Sequence, residues 1–171
     1  LDSLALEVSK KYKNIDTLFI DDTFLDSLNY GQGWMWDEGP WWYAAPISAL
    51  TVNDNCIDFY IKPSTIGKAA SIDYYPKTSF IKFKNASMTV QDSVLKKLEI
   101  DRDWVLNKNT FYAYGELIDT SDVDTLYRNI YDPSTFTGIV FKESLERFGT
   151  KVKAISRKKT YNKSYKKISN H

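Results

Sequence analysis

The chain of 171 residues holds one histidine, His171, and one cysteine, Cys56. With a single histidine at the last position, a Ser-His-Asp or Cys-His catalytic site has no base to build on. One cysteine forms no intrachain disulfide, and without a cysteine or histidine pair there are no nitrogen or sulfur ligands for a structural metal; Cys56 reads as a small buried filler. The seven glycines never fall at phosphate-cradling spacing after a strand, which excludes the P-loop and dinucleotide fingerprints. No apolar run approaches the roughly 18 residues of a membrane span, and the opening "LDSLALEVSKKYK" is amphipathic rather than a secretion signal. No cofactor is expected. The first residue is not Met, and the chain reads as a mature or excised piece.

What is abundant is aromatic: 15% of the residues, within a hydrophobic fraction of 43% that suffices for a proper core. Charge is unevenly spread. Residues 1–146 carry 14 basic against 22 acidic groups, a balance of −8, whereas the remainder has nine basic groups and no acid. The tail "SRKKTYNKSYKKISNH" could grip phosphates by releasing counterions, but no nucleic-acid motif stands beside it, so a solvated extension or linker over 156–171 is the expectation, and nucleic acid is not expected as a partner.

Leu1, Leu4, Ala5, Val8 and Tyr12 recur at helical spacing, predicting a helix over about 1–14. Asp132 before Pro133 is an N-cap with proline at the first helical position, and Phe136, Ile139, Val140 and Phe148 continue the stripe up to Gly149, predicting a helix over 133–148. "TLFID", "CIDFYIK", "ASIDYY", "SFIKFK", "KLEID", "FYAYGELI" and "TLYRNIY" read as strands of one antiparallel or mixed sheet, with "KVKAI" as an edge strand. The fold class is α+β, with the two helices covering one sheet face. One region spans 1–155, divisible into two interlocked subdomains, 1–22 with 90–155 and 23–89.

From Asp22 to about Trp42 no period holds, and the stretch reads as a long aromatic loop. Within it "GWMWDEGPWWYAAP" places four of the five tryptophans in nine positions around Asp37 and Glu38. The acid pair could suggest a glycosidase, but neighbours on a turn seldom face each other across the roughly 5 to 9 Å that this chemistry uses. At least two of the four indoles are expected to plug the domain's base. Those left over, beside an acid, make a pocket for an apolar stem ending in an ammonium. "DTSDVD" at 119–124 lacks the glycine of a calcium loop and reads as an acidic turn.

"FIDDTF", "GWMWDEGPWWYAAPISALTVNDNC", a strand ending "IKP", and "IGKAA" together resemble the inserted region of the low-molecular-mass class C penicillin-binding proteins, serine D-alanyl-D-alanine carboxypeptidases and endopeptidases of peptidoglycan. The likeness continues more loosely through "FKNASMTV" and "YDPSTFTGIVFKESLERFGTKVKAI". In that family the insert separates Ser-x-x-Lys from Ser-x-Asn and Lys-Thr-Gly. Here Ser79–Lys82, Ser93–Lys96, Ser156–Lys159 and Ser164–Lys167 satisfy the first pattern as coincidences of a lysine-rich chain. Ser27–Asn29 matches the second, and only "KTS" at Lys77 and "KTY" at Lys159 approach the third. No acyl-enzyme chemistry is expected of this chain alone.

The resemblance implies a substrate-recognising insert of an exported enzyme in the periplasm or cell wall. Its partners would be the peptidoglycan stem peptide and a transpeptidase-like catalytic domain of the same polypeptide. Position by position, Glu38 resembles the acid facing the free amine of the stem peptide's diamino acid, Tyr43 the aromatic packing beside it, and Met35 falls where some relatives place tryptophan. The family more often has Asp at the position of Glu38, and Gly39 replaces a residue that is bulkier in many relatives. The alternatives are a stand-alone glycan- or peptide-binding module and, third, a nucleic-acid binder with a basic arm.

Overall fold

A computed structural model describes residues 1–25, 28–92 and 94–157 together with Ile168; of Trp36 it describes the backbone only. In chain order the elements are α1 (Asp2–Lys11), β1 (Asn14–Ile20), β2 (Cys56–Lys62), β3 (Ser71–Tyr75), β4 (Lys82–Val90), β5 (Glu99–Arg102), β6 (Thr110–Ile118), β7 (Asp124–Asn129), α2 (Pro133–Arg147) and β8 (Lys151–Arg157). Single 3₁₀ turns occupy Trp36–Glu38, Trp42–Ala44 and Asn53–Asn55. The chain divides into two units, one of 1–29, 47–52 and 132–171, the other of 30–46 and 53–131.

In the first unit β1 and β8 pair in parallel, from Asn14 opposite Lys151 to Ile20 opposite Arg157. Parallel neighbours need a crossover, and α2 precedes β8 as its helix. The stripe of α1 buries Ala5 and Val8 against Leu145 of α2 and Val152 of β8, with Leu4, Ile15, Leu18, Phe141 and Phe148 around them. Gly138 is what lets α2 approach β1, since a methyl group there would stand 2.1 Å from Ile20 Cδ1. Asp132 caps α2 through Thr135 N–H at 3.3 Å, with Pro133 next, as its sequence predicts. Ser134 Oγ donates to Asp22 at 2.7 Å, and Arg157 pairs with the same carboxylate.

In the second unit, β3-β2-β7 is an antiparallel sheet, and β4-β6-β5 is mixed, β6 running parallel to β4 and antiparallel to β5. Phe59 from the first sheet meets Phe83 and Phe111 from the second at ring distances of 5.3 and 5.2 Å, so one aromatic core serves both. Cys56, at the start of β2, is buried, as expected of a filler. The "NDN" turn takes left-handed φ at Asn53, Asp54 and Asn55, residue types that tolerate it.

The α+β class is as the sequence predicts, with three corrections. Among the described residues three sheets replace the single one, and both helices belong to the unit of the two-stranded sheet. Residues 79–80 lie in a turn and Ile81 follows it outside any element, so β4 starts at Lys82 and runs through "NASMTV" to Val90. Residues 90–131 fall with 53–89 and not with the amino-terminal segment, because β4 and β6 stay in register from Lys82 opposite Thr110 to Val90 opposite Ile118. The basic tail lies almost wholly outside the described residues. Among those described, no helix is long and apolar enough to cross a membrane.

Candidate functional site: a cavity behind the aromatic segment

Residues 30–46 belong to the second unit, and 39–44 lie against the end of β7. Trp41 bridges to Arg128, whose guanidinium lies 4.3 Å from the centre of the indole. Tyr43 stacks on Trp41 at 6.3 Å and 6°, and meets Trp42 edge-on at 5.9 Å. Tyr30 and Trp34 form a second edge-to-face pair at 6.0 Å. These contacts favour a rigid ledge, because ring pairs add roughly 0.5–1.5 kcal/mol beyond their buried area.

Behind the ledge is a cavity of about 370 Å³, lined among others by Tyr30, Trp34, Met35, Glu38, Arg102 and Trp104. Glu38 is half-buried, and among the described residues no cation pairs with its carboxylate. Arg102 enters from β5. Only 5% exposed, it donates from Nη1 to Lys108 O at 3.1 Å and from Nη2 to Asn129 Oδ1 at 2.9 Å. Burial pulls its pKa down to about 10, which leaves it charged at neutral pH. Burial likewise holds the Tyr30 phenol above its ordinary value.

Asp37, one residue away, lines a different and smaller cavity of about 160 Å³, with Trp41, Glu99, Asp101, Trp104 and Arg128. The adjacent acids therefore line different cavities, with Trp104 common to both, an arrangement that does not place the pair across one glycosidic bond. Arg128 is buried and its pKa is lowered by that desolvation, although Asp101 and Glu99 support its charge.

Of the three site residues drawn from the resemblance, Glu38 and Met35 meet at the larger cavity, Met35 at 63% exposure. Tyr43 lines neither cavity; it is 53% exposed on the ledge. The expected plugging indoles are not found among those described: Trp41 and Trp42 are exposed and Trp34 half-buried, because the core is already filled by phenylalanines. Ser79–Lys82 runs from a turn into the start of β4 and is not on a helix. The other Ser-x-x-Lys segments, with Ser27 and "KTY", involve residues outside those described. Among the described residues no group of three acids, histidines or cysteines could hold a metal ion, "DTSDVD" included.

Sequence reading missed Arg102, Trp104 and Asn129, which join the site from 60 or more residues further along the chain. One clue was available. In "EIDR" the period of two puts Arg102 on the same face as Ile100, so a charge points inward where an apolar residue would be ordinary.

The D-Ala-D-Ala carboxypeptidase 3 (S13) family matches residues 1–170. The chain is 29% identical over 161 residues to a D-alanyl-D-alanine carboxypeptidase of Actinomadura sp. (strain R39), covering 90% of this chain and 30% of that protein. In structure it is similar to penicillin binding protein 4 from Haemophilus influenzae, with a TM-score of 0.70 and 17% identity over 95% of this chain and 36% of that one. The same protein complexed with a beta-lactam superposes with a TM-score of 0.60 and 13% identity over 95% of this chain and 34% of that one. The chain thus spans about a third of the length of these relatives.

Proposed function

The chain belongs to the D-Ala-D-Ala carboxypeptidase 3 (S13) family, and from that premise we propose that it is the substrate-recognising part of a longer D-alanyl-D-alanine carboxypeptidase or endopeptidase of the cell wall. Bond-breaking falls to a transpeptidase-like catalytic domain elsewhere in that polypeptide, on the periplasmic or wall side of the membrane. This chain contributes the pocket for the side chain of the peptidoglycan stem peptide. Glu38 accepts a hydrogen bond from the free amine of the diamino acid, Met35 borders the stem, and Tyr43 meets the peptide on the exposed ledge outside the cavity.

One observation carries this reading: Glu38, Trp34 and Trp104 line a single cavity of about 370 Å³, the size class of a small-ligand site. A charge-assisted hydrogen bond to an ammonium in such a slot contributes about 1.5–3 kcal/mol, and indole faces favour a cation further. The gain is in selectivity rather than in the chemical step.

The test is Glu38→Gln in the full-length polypeptide. It is expected to raise KM about tenfold for stem peptides with a free side-chain amine, while turnover of a small D-Ala-D-Ala ester hardly changes. Equal losses on both substrates would refute the role.

A further inference from the structure

Asn129, the last residue of β7, is 1% exposed. Its Nδ2 lies 3.0 Å from Gly39 O, 2.8 Å from Trp41 O and 3.0 Å from Ala44 O, while its backbone N–H donates to Pro40 O at 2.8 Å. On the other side of the amide, Oδ1 accepts from Arg102 Nη2 at 2.9 Å. A guanidinium only donates, so Arg102 fixes which way the amide points: oxygen toward Arg102, nitrogen toward the three carbonyls.

The segment held in this way begins at the residue after Glu38. Its own backbone bonds are local: Trp41 N to Glu38 O is long at 3.4 Å, beyond the usual range for N–H···O contacts, while Ala44 N to Trp41 O and Ala45 N to Trp42 O are both 3.1 Å. One side chain more than eighty residues away in sequence thus reaches three of its carbonyls, beside the Trp41–Arg128 bridge.

We propose that Asn129, oriented by Arg102, is a positioning residue for Glu38, holding residues 39–44 so that the neighbouring carboxylate faces the cavity. The proposal rests on the amine reading of Glu38 given above. A buried asparagine that served stability alone would change all substrates together; a positioning residue changes only the discrimination that Glu38 provides.

The experiment uses the full-length polypeptide and three readouts: kcat/KM for a stem peptide with a free side-chain amine, kcat/KM for the same peptide N-acetylated on that amine, and the rate of acylation by benzylpenicillin. Asn129→Asp keeps the size and the Arg102 contact but turns a carboxylate oxygen toward the three carbonyls. It is expected to lower the free-to-acetylated ratio about tenfold, the order that a small misplacement of a binding group costs, with acylation unchanged. Arg102→Lys keeps the charge but loses the planar contact, and is expected to lower the ratio about threefold.

Should Asn129→Asp fail to fold, Asn129→Ser and Arg102→Lys give the same measurement. If Glu38→Gln abolishes the ratio while the folded variants at 129 and 102 keep it, the proposal falls and the amine reading stands. Equal losses on both peptides and on acylation overturn it as well, assigning Asn129 a structural role only. A ratio indifferent to Glu38→Gln removes the amine reading, and this proposal with it.

Discussion

Gly39 lies directly against Trp104: a methyl group at residue 39 would stand 3.0 Å from both Nε1 and Cε2 of the indole. The backbone there, at φ 58 and ψ −127, is also one that side-chain-bearing residues seldom adopt. Glycine at this position is therefore tied to the large side chain at 104, which lines both cavities. Gly39→Ala is expected to destabilise the chain by about 2 kcal/mol. Urea titration of the folded chain measures it, and a midpoint unchanged from the parent would contradict the packing described.

Gly138 poses a similar constraint inside the first unit. Because a methyl group there would meet Ile20 Cδ1 at 2.1 Å, Gly138→Ala should cost about 1–3 kcal/mol by overpacking. Ile20→Val removes the obstructing atom, so the double variant is expected to recover part of the loss. A thermodynamic cycle on the four proteins reads the coupling, and strict additivity would argue against direct contact.

The Ser134 hydroxyl, and after it Arg157, hold the Asp22 carboxyl below its ordinary value of 3.8. Since the folded form has the lower pKa, its stabilising contribution is complete above pH 3.8 and is lost as pH falls through the folded value. Asp22→Asn should therefore lower stability at neutral pH and flatten its decline on acidification below 3.8. Thermal melts of both proteins through this acid range give the comparison; parallel curves would refute the linkage.

Burial, with Asp58 and Asp54 nearby, pushes the Cys56 thiol up to about 12. At 3% exposure it is also shielded from reagents. The folded chain at pH 8 is expected to resist iodoacetamide for hours and to be modified stoichiometrically in denaturant, as intact mass would record. Rapid labelling of the native chain would contradict the packing around β2.

How much of this was legible beforehand depends on whether a feature is local. The alternation in "CIDFYIK" matches β2 from end to end, and the Asp132-Pro133 cap is where its chemistry requires. Such patterns report which face of an element is buried, not which neighbour buries it, and so one sheet is expected where the described residues form three. The site divides in the same way. Glu38 and Met35 stand in a continuous stretch whose residue types suggest a pocket, whereas Arg102, Trp104 and Asn129 reach it only through strand pairing. Divergence of Asp37 from Glu38 is likewise a matter of one 3₁₀ turn, which a run of aromatic residues does not announce.

The β1–β8 ladder has a consequence for how the protein is made. Its two strands are separated by everything from Asp21 to Thr150, and a ribosome delivers the first long before the second. Residues 53–131, by contrast, emerge as one uninterrupted stretch that already contains every strand of its two sheets. Among the described residues β8 is the strand that pairs with β1, so nascent β1 gains that pairing once α2 and β8 have left the exit tunnel. A product truncated before Lys151 lacks that partner strand for good, which marks such fragments for aggregation or for chaperone capture.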